Sequence, residues 1–204
     1  MASGPYPWLK PAVFTGALAP LAAITYRAAS HGLGADPIKE AINRLGLVTL
    51  VFIVLTLACT PLKTLFGWTF PARVRRMLGL YAFFYATLHL SGYAVLDQSL
   101  NLPAIGEDIA KRPFILVGFL AYVLLMPLAA TSTQAMVRRL GFPRWKALHR
   151  AVYAIGLLGA VHFLWRVKTL TNEPIAYATI IAGLLALRVV HALRTRAPAQ
   201  RLPG

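Results

Sequence analysis

The sequence predicts an all-α integral membrane protein, a bundle of six transmembrane helices with both termini on the cytoplasmic side. Three observations lead there. Long uncharged windows alternate with short charged segments, the composition is 58% hydrophobic against 13% charged, and the basic residues are distributed unevenly between alternate segments. Soluble domains carry charge on about a quarter of their residues, whereas a membrane-spanning helix needs about 17–25 largely apolar ones.

The first span, about residues 9–28, is built on the uncharged stretch Pro11 to Tyr26, with Trp8 as an interfacial aromatic. Its ALAPLAA tract has the small residues of a cleavage site, but the single lysine before it and the length of the apolar run favour a retained helix. The second span, 45–62, lies between Arg44 and Lys63, and the third, 77–96, between Arg76 and Asp97. The fourth, 113–132, opens on Pro113, where the missing N–H of a first helical turn costs nothing. The fifth, 147–166, and the sixth, 174–193, have shorter uncharged windows, Ala151 to Trp165 and Pro174 to Leu187. They reach spanning length if a terminal basic side chain snorkels, as Arg188 is expected to do in the sixth.

Charge orients the spans. With the N-terminus inside, the cytoplasmic segments hold Lys10, Lys63, Arg73, Arg75, Arg76, Arg138, Arg139, Arg144, Lys146, Arg150, Arg194, Arg196 and Arg201. The opposite side holds fewer, Arg27, Lys39, Arg44, Lys111, Arg112, Arg166 and Lys168, together with all the acids: Asp36, Glu40, Asp97, Glu107, Asp108 and Glu173. This asymmetry predicts N-in, C-in topology. It also accounts for the net charge of +15 by membrane insertion, with lipid and not nucleic acid as the partner of the basic segments. The acidic outer loops offer a docking surface for a soluble partner. Cys59 is the sole cysteine, so neither a disulfide framework nor a thiolate metal cluster is available.

Five histidines remain to be assigned. His31 falls in the outer loop SHGLGADP and His191 ends the last span, and both read as structural. His89 lies thirteen residues beyond Arg76, about 20 Å along the helix. His162, on the outward-running fifth helix, is at a similar depth. Ionisable groups in spans face the bundle interior and mark functional sites. Two imidazoles at one level on two helices can grip haem iron axially, and helix bundles build such sites from facing side chains. No carboxylate or thiolate lies at that level to complete a zinc shell. His149 is near the inner surface. Thirteen residues separate it from His162, which leaves the two about 140° away from a common face. Either the helix is distorted, with Gly156 and Gly159 between them, or the two rings serve different faces.

At these residues the chain resembles the MsrQ (YedZ) family, the haem-binding membrane subunits of bacterial methionine sulfoxide reductase systems. The resemblance is carried by RRMLGLYAFFYATLHLSGY, TSTQAMVRRLG, RWKALHRAVY, HFLWRVK and the loop HGLGADPIKE, and it extends from the first spans to Leu193. More distantly, the chain is similar to the transmembrane domain of ferric reductases and NADPH oxidases. The resemblance implies a single ferric reductase-like domain over residues 1–204 in the bacterial inner membrane, with haem b on ligands drawn from His89, His149 and His162. It also implies bound FMN, electron intake from the quinone pool, and delivery to MsrP, a periplasmic molybdopterin enzyme that reduces methionine sulfoxide in oxidised proteins. The chain would then be an electron-transfer subunit, not itself catalytic on methionine sulfoxide.

One departure stands out. NADPH oxidases carry two histidines on the third helix, whereas here it has only His89. His89 with His162 therefore forms the outer axial pair, and His149 serves a second haem, a flavin, a quinone or nothing catalytic. Arg75 and Arg76, beside the histidine-bearing helix, are topology determinants and also candidates for a haem propionate or a flavin phosphate. TSTQAM either lines a cofactor site or caps a helix. Eleven residues follow Leu193 and no GxGxxG or P-loop occurs, so reducing equivalents are expected from a separate protein or a quinol. Two other readings stay open: a ferric or cupric reductase, and a transporter lined by histidines.

Overall fold

The computed structural model describes residues 6–167 and 171–196, which leaves out Lys168 and Arg201 of the charge asymmetry. Among these residues every regular element is helical: α1 (Leu9–Ala29), α2 (Pro37–Phe66), α3 (Phe70–Ser91), α4 (Leu102–Lys111), α5 (Pro113–Ala130), α6 (Gln134–Leu140), α7 (Phe142–Leu148), α8 (Ala151–Arg166) and α9 (Asn172–Arg196). A π-helical turn, Gly92–Asp97, continues α3 directly.

Among the described residues five stretches are long and apolar enough to cross a membrane: Leu9–Ala29, Pro37–Phe66, Pro113–Ala130, Phe142–Arg166 and Asn172–Thr195. The third expected span, 77–96, lies in α3 and its π-helical turn. Arg73, Arg75 and Arg76 occupy the first turns of α3 and make that helix less apolar than the five.

Local chemistry sets the helix ends. The Asp36 carboxylate accepts from the Lys39 backbone N–H at 3.1 Å, with Pro37 at the first position of α2. Gly67, at φ 69°, closes α2 in the left-handed conformation that costs a glycine little. Asn101 caps α4, and Thr133 of the TSTQAM stretch caps α6 by accepting from the Met136 N–H at 3.2 Å.

α2 is the central helix, packed against α1, α3, α8 and α9. Its pairing with α3 is the most extensive in the molecule, followed by that of α5 with α8. Gly156 and Gly159 let α8 approach α2 closely, since a Cβ at either would meet Leu57 or Leu50 at 2.9 and 3.2 Å. Tyr85 is fully buried and stacks on Phe52, ring centroids 5.5 Å apart. Its hydroxyl donates to the Ala17 carbonyl at 2.7 Å and accepts from the Leu21 N–H at 3.2 Å, so it is inserted into the α1 ladder beside Pro20.

Two expectations change. The helix before His162 is interrupted at His149 and Arg150, between α7 and α8, and not at the two glycines. His149 then meets Thr131, the C-cap of α5, while His162 meets Phe114 at the start of that helix. Arg188 does not snorkel. It turns inward, donating from Nη2 to the Leu57 carbonyl at 2.6 Å and from Nη1 to the Tyr153 hydroxyl at 2.7 Å.

Candidate functional site

α2 and α3 are antiparallel neighbours, as are α5 and α8. The starts of α2 and α5 therefore share one end of the bundle with the last turns of α3 and α8, and α4 sits at that same end. His89 comes from α3 and His162 from α8, and the rings meet there with centroids 6.1 Å apart and planes 81° apart. Both side chains are half-buried.

Each imidazole is tied to a neighbouring helix. His89 Nδ1 lies 2.8 Å from the Ile42 carbonyl on α2, and His162 Nδ1 lies 2.6 Å from the Phe114 carbonyl on α5. A carbonyl oxygen can only accept, so both Nδ1 atoms carry the proton and both Nε2 atoms keep a free lone pair. Each ring also rests on a glycine. A Cβ on Gly46 would come within 3.0 Å of the His89 ring, and one on Gly118 within 2.6 Å of the His162 ring. Gly92, in the π-helical turn just after His89, brings α3 close to Ile42, which a Cβ there would meet at 3.1 Å.

The two rings line a cavity of about 380 Å³, within the range of small-molecule and cofactor sites. Its wall is mostly apolar, including Leu50, Ala86, Tyr122, Leu125 and Phe163, with Ile105 and Ile109 of α4. Charged and amide lining comes from Lys39, Asn43, Asp97, Arg112 and Arg166, all on the α4 side of the histidines by helical register. Arg166 Nη1 donates to Asn43 Oδ1 at 2.6 Å. Asp108 accepts from the Tyr93 hydroxyl at 3.0 Å and pairs with Arg112 at 3.2 Å, which fastens α4 to the end of α3 and the start of α5. Two bare Nε2 atoms facing a largely apolar, basic-rimmed cavity can clamp a metal centre held in a planar anionic frame. Among the described residues no third His, Cys, Asp or Glu joins them to complete a protein-only metal shell.

The other candidates lie elsewhere. His149 is at the α7–α8 break, thirteen residues and about 20 Å of helix from His162. Its Nε2 is 3.1 Å from Thr131 Oγ1, and its ring lies against Trp145 with centroids 4.2 Å apart. Trp145 Nε1 in turn donates to the Thr131 carbonyl at 3.0 Å. TSTQAM thus both caps α6 and engages His149. Arg75 is half-buried and donates to Thr60 Oγ1 at 3.4 Å, Arg76 is exposed, and neither lines the cavity. His31 and His191 are exposed.

Four of the six acids on the expected docking surface are paired locally. Asp36, Glu40, Glu107 and Asp108 pair with Lys39, Arg44, Lys111 and Arg112. Sequence reasoning also passed over Gly46, Gly118, Asn43 and the cavity-lining cations. A lone glycine inside an uncharged span was the available signal, since it marks a close helix approach.

A family model described as "Ferric reductase like transmembrane component" matches residues 42–160. A Rhodospirillum rubrum protein named "Protein-methionine-sulfoxide reductase heme-binding subunit MsrQ" is 50% identical over 185 residues, which is 91% of this chain and 89% of that protein. Its namesake from Deinococcus radiodurans is 44% identical over 197 residues, 97% of each chain. The Azospira oryzae namesake is 48% identical over 191 residues, 93% of this chain and 82% of that one.

Proposed function

The chain belongs to the MsrQ family of ferric reductase-like transmembrane proteins, and on that premise we propose that it is a haem b-carrying electron-transfer subunit. It takes electrons from the quinone pool and passes them to MsrP, the periplasmic molybdopterin methionine sulfoxide reductase, for repair of oxidised proteins. The carrying observation is the His89–His162 pair. A metal bonded to one nitrogen of each ring needs about 2 Å per bond and about 1 Å more to each ring centre, or about 6 Å between centres. The rings are 6.1 Å apart with both Nε2 atoms bare. Bound there, a haem would supply reversible one-electron exchange at iron.

The chain's own residues do the rest. His89 and His162 would hold the iron through Nε2, while the Ile42 and Phe114 carbonyls hold their tautomers. Lys39, Arg112 and Arg166, with Asn43, share the cavity with the imidazoles and are the groups that would meet haem carboxylates. That role therefore moves away from Arg75 and Arg76, which remain candidates for the phosphate of FMN, a cofactor supported by the family resemblance. His149, with Thr131 and Trp145, is the matching candidate for the flavin or quinone side. A six-span, N-in, C-in arrangement in the bacterial inner membrane puts the α4 end at the periplasm. MsrP then docks on a surface of mixed charge.

Purification in detergent tests the reading. The expected result is a low-spin bis-imidazole haem spectrum that quinol reduces. His89→Ala and His162→Ala each abolish it, and His149→Ala retains it. A colourless parent protein, or an unchanged spectrum in His89→Ala, would end the proposal.

A further inference from the structure

We infer that Gly46 and Gly118 are positioning residues: each opens one helical carbonyl to an incoming imidazole, which fixes the tautomer and orientation of His89 and His162. The electrochemical consequence rests on the axial-pair reading above, while the geometric part does not.

In an α-helix the carbonyl of residue i points toward the N–H of residue i+4. Helical side chains lean toward the N-terminus, so the side chain at i+4 lies over the turn holding that carbonyl. A hydroxyl on a long side chain can reach past that cover, but an imidazole ring laid against the turn needs the cover to be thin. Here both carbonyls chosen by the histidines sit four residues before a glycine: Ile42 before Gly46 on α2, and Phe114 before Gly118 on α5. In both cases the imidazole fills the space a Cβ would take. Gly46 has His89 Cε1 and Nδ1 at 3.0 Å, and Gly118 has His162 Nδ1 at 2.6 Å and Cε1 at 2.8 Å. The same device thus appears on two helices far apart in sequence, once for each ring.

Such crowding is not general to the helical glycines. A Cβ on Gly16, Gly106 or Gly183 would meet nothing within 4 Å, and one on Gly79 only Thr56 at 3.9 Å. Gly46 and Gly118 are adapted to the rings. A ring held on its carbonyl presents Nε2 as the sole free donor atom, and donation from Nδ1–H raises the basicity of that nitrogen. A more basic ligand favours the ferric state, so the two glycines also hold the reduction potential down.

The test uses Gly46→Ala and Gly118→Ala, with Gly183→Ala as the uncrowded control. Histidine-selective ¹⁵N NMR of the haem-free protein in micelles reads the tautomer directly. In the parent, His89 and His162 are Nδ1–H. In each variant the facing histidine becomes a tautomer mixture, more completely in Gly118→Ala. The haem-loaded variants show a raised midpoint potential, and a tenfold change in the redox equilibrium corresponds to about 59 mV for one electron. If Gly118→Ala does not fold, Gly46→Ala carries the test, because its contact asks the ring to give by only a few tenths of an ångström. Parent-like tautomers and potential in Gly46→Ala overturn the inference. A parent that binds no haem overturns the proposed function and leaves the tautomer measurement decisive for the glycines.

Discussion

Arg188 is a guanidinium inside an apolar helix, and its position follows from a proline on another helix. Pro61 has no N–H, so the Leu57 carbonyl of α2 loses its partner four residues on. In a lipid environment an orphaned carbonyl costs several kcal/mol, and no water is there to take it. Arg188 Nη2 supplies the missing donor at 2.6 Å, while the guanidinium lies 4.9 Å over the Tyr153 ring. Arg188→Leu is therefore expected to destabilise the protein by about 1–3 kcal/mol. Pro61→Ala restores an intrahelical N–H and should recover at least about 1 kcal/mol of that loss, read as coupling in a double-mutant cycle. Thermal unfolding in detergent micelles provides the measurement, and additive effects of the two substitutions would refute the account. The sequence could not reveal this pairing. A window of hydropathy sees the charge of Arg188 closing an uncharged run, but Leu57 is 131 residues away. The same limit hid Gly46 and Gly118, whose meaning depends on which histidine faces them. The histidines themselves were legible because an imidazole in an uncharged window is costly without a task.

Among the helices, α1 shows how an outer element is held in place. Two tyrosines of α3 reach it: Tyr81 donates to the Phe14 carbonyl at 2.9 Å, and the Tyr85 hydroxyl bridges the Ala17 carbonyl and the Leu21 N–H. Tyr85→Phe removes the hydroxyl that both groups of that ladder step use and is expected to cost about 1–3 kcal/mol. Tyr81→Phe removes a second bond from a carbonyl still within the helix, and should cost less. Hydrogen exchange at Leu21 checks this, with faster exchange expected in Tyr85→Phe than in Tyr81→Phe; equal protection in the two would count against the clamp. The uncharged windows located most helices well, because apolar length alone decides what can cross a bilayer. They missed α4, whose apolar face turns toward the cavity, and the break at His149. The spacing of His149 and His162 left open either a distorted helix or rings on different faces, because helical register alone does not say where a helix is interrupted.

At the scale of the bundle, the charged residues of the site collect at one end, where α4 covers the cavity shared by four helices. Under the proposed N-in, C-in arrangement that end lies in the periplasm. In a chain whose buried Cys59 is replaced by alanine, Gln98→Cys and Glu107→Cys should react with an impermeant maleimide on intact spheroplasts. Arg139→Cys should react only after lysis. The reverse pattern would invert the topology and remove the route to a periplasmic acceptor.

The backbone bonds of His89 and His162 also bear on what this membrane lets through. A proton relay needs each imidazole to receive at one nitrogen and release from the other. Here one nitrogen of each ring is locked to a main-chain oxygen, and in the proposed site the other is taken by metal, so neither ring would hand a proton onward. On that proposal the same contacts that prepare the pair for electrons keep it an insulator for protons, and redox traffic proceeds without discharging the gradient across the bilayer.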